Sequence, residues 1–346
     1  MRYEPSLDGL RAVAVCSVLV FHFSSAWLPG GWVGVDIFFV LSGYLITTIL
    51  TNEMDRYGNI DLKRFYINRF LRLAPAFACV LAFVVVRAAL THNVEHRHAI
   101  LEAAAIASVY LMNWSRAFHW LPEDIIGHTW SLSMEEQFYI LWPISMMLLG
   151  SKANRIYFVI FVILAVTLWR SNLALSGADL ERTYNGLDTH VDALMIGCAF
   201  ALLRPHLKLS RFAQRTAIIP AFIMILLLTM MEPRTIQAQT IGLSISAICA
   251  AWLILAALED GWLKKVLSLR PLVYTGRISY GLYLWHYPII LIALSNLPKR
   301  LQIIAIPLSY LVAAASFRFI ERPFLKLKSH TRAPINEAPE ATPVKP

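Results

Sequence analysis

Apolar stretches separated by short polar ones recur along the whole chain. Ten of them lie near residues 10–28, 33–51, 73–91, 136–150, 155–169, 190–204, 216–231, 241–258, 275–296 and 301–319. Blocks of this size read as membrane-spanning helices, because a hydrocarbon core about 30 Å thick takes about 20 residues of helix. A further run, 100–113, has only 14 residues. It suits a thin span, a re-entrant piece or a buried helix. The pattern predicts an all-α, polytopic integral membrane protein with about ten transmembrane helices. Residues 1–325 form one membrane domain. The polar, proline-rich end, 326–346, is expected to be a disordered tail. No cleavable signal peptide is evident ahead of the first run.

Composition supports this class. Hydrophobic residues make up 58% and charged residues 15% of the chain, against about 25% charged in an average soluble protein. The net charge of +9 does not signal nucleic acid, because the cations sit in loops, where they orient membrane proteins. Arg56, Lys63, Arg64, Arg69 and Arg72 place one loop in the cytosol, and Arg204, Lys208, Arg211 and Arg215 another. Lys264, Lys265, Arg270 and Arg277 mark a third, and Arg322, Lys326 and Lys328 mark the tail. Both termini are then cytosolic, which needs an even number of spans. The Arg87–His98 loop falls outside. Cys16, Cys79, Cys198 and Cys249 lie in apolar runs without paired spacing, so neither a disulfide nor a zinc site is expected. Phosphate-binding glycine fingerprints are missing, and no internal repeat is visible.

Against this background, ionisable residues in apolar runs are informative, since they are costly in a membrane and mark sites or pathways. Arg11 and His22 share the first run. Eleven residues of helix bring them to within about 20° of one face and about 16 Å apart along the axis. That suits two parts of one long ligand. Arg11 could instead snorkel, with His22 bonded to a neighbouring helix. Asp36 opens the second run beside Gly31, Gly34 and Gly43, small residues that let helices approach closely. It could orient His22 or pair with an arginine.

Four later segments carry similar groups. In RFYINRFLRLAPA, Arg64, Arg69 and Arg72 suit either an interfacial lipid anchor or a phosphate clamp. In HTWSLSMEEQFYILWP, Glu135 and Glu136 follow His128, Ser131 and Ser133 at the mouth of an apolar helix. A capping box could explain Ser133 and Glu136. It leaves Glu135 and His128 free for proton transfer. Asp188, His190 and Asp192 precede another apolar run, and His286 sits among aromatics in SYGLYLWHYPII.

Together SLDGLRAVAVCSVLVFH, GGWVGVDIFFVLSGYLI, RFLRLAPA, HTWSLSMEEQFYILWP, THVDALMIGCAFALL, GRISYGLYLWHYPI and SFRFIERPF resemble the acyltransferase-3 family of bacterial integral-membrane O-acyltransferases. They span residues 5 to about 325 in that family's order. The family's R-x10-H falls on Arg11 and His22, and its R-x-x-R on Arg69 and Arg72. The resemblance implies transfer of an acyl group, usually acetyl, from cytosolic acyl-CoA to a hydroxyl of a glycan or lipid-linked sugar. O-antigen, lipopolysaccharide or another surface polysaccharide would qualify, and the protein would reside in the bacterial inner membrane. His22 would then be general base or acyl carrier, with Asp36, Glu135 or Glu136 assisting it. Arg11, Arg69 and Arg72 would hold acetyl-CoA. His128, Ser131, Asp192 and His286 are candidate substrate contacts. No metal is expected.

Some family members carry a fused extracytoplasmic hydrolase-like domain. Here the sequence ends about 20 residues after the membrane domain, 1–325. The membrane domain is therefore expected to finish the transfer itself, or to hand over to a separate protein. A transporter or flippase without acyl chemistry remains an alternative, as does an acyltransferase for small hydroxylated metabolites.

Overall fold

The computed structural model describes residues 3–121, 125–204, 210–233 and 235–328. Among these the chain is helical, with no strand. Helix α1 is Pro5–Phe23, α2 Gly34–Tyr57, α3 Leu62–Ala89, α4 Val94–Ser108, α5 Met112–Ala117, α6 Trp130–Leu148 and α7 Lys152–Leu175. Three short helices follow in α8 Leu180–Asn185, α9 Leu187–His190 and α10 Asp192–Leu203. Then come α11 Ser210–Thr216, α12 Ile218–Met230, α13 Leu243–Leu258, α14 Trp262–Leu267, α15 Arg270–Arg277 and α16 Ser279–Asn296. The chain continues through α17 Lys299–Gln302, α18 Ala305–Ser316 and α19 Arg322–Lys326. A π-turn, 238–242, leads into α13, and another, 317–321, joins α18 to α19.

Local chemistry sets several boundaries. Pro5 stands in the first turn of α1, where its missing N–H is no loss. Gly58, at φ 73°, ends α2 in the left-handed conformation while its N–H bonds the Met54 carbonyl. The Asp61 carboxylate caps α3 by accepting from the Arg64 N–H at 3.0 Å.

The all-α, polytopic expectation holds. Among the described residues, six helices are long and apolar enough to cross a membrane, and the bent pair α15–α16, with a 71° break, makes a seventh. The other expected runs fall on α6, α10 and α12. The helix α10 has 12 residues, or about 18 Å at 1.5 Å each, too short to cross a membrane alone. The doubtful run 100–113 is split between α4 and α5. Arg11, near the start of α1, lines the same cavity as Arg69 and Arg72. Those two share a second cavity with Lys328. The start of the first helix and the end of the last described one thus lie at one end of the bundle. The tail from 329 onward lies outside the described residues, as does Lys208.

Burial separates the helices into an inner and an outer set. In α2 and in the span ending with α13, 72% of the apolar window is buried, against 22% in α7. The exposed face of α7 carries Tyr157, Phe161, Leu164 and Leu168. Such a face suits lipid. At the centre α2 crosses α10 with almost no gap. A Cβ on Gly43 would stand 1.9 Å from the Leu194 carbonyl oxygen, and one on Gly197 2.2 Å from that of Val40. Only glycine allows backbones this close.

Gly43→Val should therefore push α2 and α10 apart, costing on the order of 3 kcal/mol. Thermal unfolding in detergent should show a clearly lowered midpoint. An unchanged midpoint would contradict this reading of the contact.

Candidate functional site

Three cavities follow one another through the bundle. The first, about 290 Å³, is a vestibule among Glu53, Arg64, Arg69, Arg72 and Lys328. The second, about 90 Å³, is a slot that Arg69 and Arg72 share with the vestibule and that Arg11, Ser42, Glu135 and Tyr139 also line. The third, about 210 Å³, contains His22, Arg116, His128, Trp130 and Glu181. Val35 and Tyr283 line both the slot and this far chamber.

Helical spacing puts the right groups into the slot. Arg69 and Arg72 are three residues apart on α3, and Ser131, Glu135 and Tyr139 are four apart on α6, so each set shares a face. The Ser42 hydroxyl donates to the Glu135 carboxylate at 2.5 Å and accepts from the Tyr139 hydroxyl at 3.1 Å. The Arg69 guanidinium lies 4.6 Å from the centre of the Tyr139 ring, a cation–π contact. Arg11 is bonded to Asp8 at 3.1 Å. Three guanidiniums against one carboxylate in the slot, with Arg64 and Lys328 against Glu53 added in the vestibule, make an anion-attracting path.

The far chamber is organised by α16. Pro288 lies inside that helix and has no N–H, so the Leu284 carbonyl four residues earlier lacks its helical donor. His128 Nε2 lies 3.2 Å from that carbonyl. A carbonyl only accepts, so His128 carries its proton on Nε2, and Nδ1 keeps a lone pair. The Tyr283 hydroxyl donates to the His128 carbonyl at 2.8 Å and is paired with Ser131 at 2.5 Å. Helix α16 therefore holds His128 by both ring and backbone.

The same reasoning fixes His22. His286 Nδ1 faces the Leu282 carbonyl at 3.0 Å, so it bears the proton and His286 Nε2 is an acceptor. That acceptor lies 3.0 Å from His22 Nδ1. His22 must donate through Nδ1, leaving the Nε2 lone pair for the chamber. A histidine oriented in this way is ready to act as base or nucleophile.

Several expectations are corrected. Asp36 does not orient His22. It is fully buried against His190 Nε2 at 2.7 Å and the Ser246 hydroxyl at 3.0 Å. Glu135 faces the slot rather than His22, and the partner of His22 is His286. Glu136 is beside it on α6, and its Oε1 is buried with no hydrogen-bond partner among the described residues. The capping box at Ser133 does not form, because α6 begins at Trp130 and Ser133 donates to the Thr129 carbonyl. Asp192 lines none of the three cavities. Its carboxylate pairs with the fully buried Arg170 at 2.7 Å and accepts from Thr167 at 3.2 Å. Asp188 pairs with Arg182.

Arg11, His22, Arg69, Arg72, His128, Ser131 and Glu135 do meet along the three cavities, and His286 stands directly behind His22. The sequence reading missed Tyr283, which divides slot from chamber, and the Arg116–Glu181 pair at 2.9 Å in the chamber wall. Tyr283 stands three residues before His286, a same-face spacing that could have drawn notice. Nothing local links Arg116 to Glu181.

A sequence profile described as an acyltransferase domain, Acyl_transf_3, matches residues 4–318. The chain belongs to this acyltransferase family. It is 35% identical over 352 residues to the peptidoglycan O-acetyltransferase OatA of Listeria monocytogenes, covering 94% of this chain and 56% of that protein. It is 34% identical to putative O-acetyltransferases of Staphylococcus aureus, covering 94% of this chain and 58% of theirs. The putative peptidoglycan O-acetyltransferase YrhL of Bacillus subtilis is 35% identical, with 93% and 55% covered. The acyltransferase chain thus spans little more than half the length of these relatives. No solved structure matches it.

The Arg170–Asp192 pair is structural, so Asp192→Ala should strand a buried guanidinium at a cost of about 3–5 kcal/mol. Unfolding of the purified protein in detergent should start at a markedly lower temperature. A variant as stable as the parent would return Asp192 to the functional candidates.

Proposed function

We propose that this chain is a membrane O-acyltransferase. It takes an acyl group, acetyl by likeness to its named relatives, from acyl-CoA and delivers it to a hydroxyl of a cell-envelope glycan of the peptidoglycan type. The observation carrying this reading is the run of three cavities from a basic vestibule to the His22 lone pair.

Acyl-CoA is a polyanionic nucleotide with a long, thin arm ending in a thioester. Arg64, Arg69, Arg72 and Lys328 in the vestibule suit its phosphates. The slot, at about 90 Å³, holds on the order of half a dozen water-sized groups. That admits a thin chain and excludes a nucleotide. The arm would bring its thioester past Tyr283 to His22, where Arg116 and aromatic Trp130 and Tyr184 leave space for a sugar. A flippase would need a path wide enough for its glycan along its whole length, and the slot is narrower. The charge bias of the loops supports a cytosolic vestibule, with the chamber towards the outer side of a bacterial inner membrane.

Membranes containing the protein, supplied with acetyl-CoA labelled in the acetyl group, test this. The wild type should release CoA and pass label to added peptidoglycan fragments. His22→Ala should abolish both while the protein remains folded. Normal turnover by that variant would refute the assignment of His22. Absence of CoA release by the wild type would refute the acyltransferase reading.

The vestibule adds a pH dependence. Burial, with Arg72 and Arg69 nearby, pushes the Lys328 ammonium down to about 7. It is charged below that pH and loses its proton as pH rises through it. Acyl-CoA should therefore bind more weakly at pH 8 than at pH 6, by roughly fivefold for one partly exposed charge. Lys328→Arg, charged throughout, should flatten the change. Equal affinity at both pH values in the wild type would remove Lys328 from the phosphate site.

A further inference from the structure

Two histidines, not one, line the far chamber and keep a ring nitrogen lone pair that no helix carbonyl claims. His22 does so through Nε2, because His286 holds its other nitrogen. His128 does so through Nδ1, because the Leu284 carbonyl holds its Nε2. The His128 side chain is 2% exposed, lines the chamber, and its Nδ1 has no hydrogen-bond partner among the described residues. A buried acceptor without a partner is costly. Here it is held in place by three contacts to α16 and α6: Leu284 on the ring, Tyr283 on the backbone, and Ser131 on Tyr283. A firmly held, unpartnered acceptor in a residue that lines the chamber suits an incoming hydroxyl.

We propose that the two histidines divide the reaction, His22 carrying the acyl group and His128 acting as the base that deprotonates the acceptor hydroxyl. This rests on the acyltransferase reading above and assigns a second catalytic residue to it. In the first step His22 Nε2 attacks the thioester carbonyl carbon. The C–N bond forms, the C–S bond breaks, and CoA leaves as thiolate. The acyl-imidazolium keeps its Nδ1 proton, shared with His286 Nε2. In the second step His128 Nδ1 takes the acceptor hydroxyl proton as the oxygen attacks the acyl carbon. The C–N bond breaks and its electron pair returns to His22 Nε2. The proton on His128 then passes to solvent, balancing the one that the thiolate takes up.

Each step has its own readout. Exchange of labelled free CoA into acetyl-CoA reports the first and needs no acceptor. Acetate formation, with water as the hydroxyl, reports the second. Hydroxylamine, a strong nucleophile needing little base assistance, reports the second step without His128. The full-length protein in proteoliposomes would be assayed as wild type, His128→Ala and His128→Gln. In both variants exchange should stay within about threefold of wild type, while acetate formation falls at least about 100-fold, the usual size of a general-base contribution. Hydroxamate formation should stay close to wild type once the uncatalysed background is subtracted. Retained exchange also shows that the variant is folded. Loss of exchange in both variants would overturn the division, as would acetate formation that is unaffected, or a hydroxamate loss as deep as the acetate loss. A wild type that releases CoA without catalysing exchange would overturn the acyl-His22 step while leaving the acyltransferase reading intact. A wild type that does neither would overturn that reading itself.

Discussion

A helix within a membrane must satisfy every backbone carbonyl from inside the protein, and Pro288 withholds one donor from α16. The Leu284 carbonyl left over is met by the ring of His128, a residue on another segment. This one deficit fixes the tautomer of His128 and docks the start of α6 against α16. Two residues earlier, the Leu282 carbonyl fixes the tautomer of His286 and, through it, that of His22. The chemistry of the chamber is therefore written in backbone carbonyls of a single helix. Neither an acid nor a metal is needed to orient either imidazole.

The remaining structure keeps that helix aligned with its neighbours. Gly43 and Gly197 let α2 and α10 touch at the backbone, which places Ser42 of α2 on the slot. Asp36, His190 and Ser246 tie α2 to α9 and α13, while Arg170 and Asp192 tie α7 to α10. Arg170 also bonds the carbonyls of Gln239 and Thr189 and the Ser244 hydroxyl, so its charge is surrounded by acceptors. Both clusters put to structural use acids that looked functional, Asp36 as a catalytic group and Asp192 as a substrate contact. Their cost in an apolar interior is offset only because each charge has a partner.

The legible part of the chain was whatever local periodicity or spacing encodes. Apolar runs gave the helices and the membrane setting. Arg11 with His22, and Arg69 with Arg72, could be grouped because each pair lies along one helix face. Partners across helices could not be read. Asp36 meets His190 over 154 positions and Arg116 meets Glu181 over 65, and no spacing rule links such distances. For the same reason Glu135 was wrongly offered as a partner of His22. The proline of SYGLYLWHYPII was visible throughout, but a freed carbonyl names no donor until the fold supplies one. Short helices such as α10 also read as spans, because composition shows apolarity and not where a helix breaks.

The proposed function makes one claim above the others: the acyl group crosses the bundle while CoA stays on the vestibule side. Sealed inverted membrane vesicles test it directly. Labelled acetyl-CoA would be supplied outside, facing the vestibule, with peptidoglycan fragments trapped inside. Label should appear on the enclosed fragments while all released CoA remains outside, and permeabilising the vesicles should not be required. Transfer that occurs only after permeabilisation would place donor and acceptor on the same side and contradict a path through the slot.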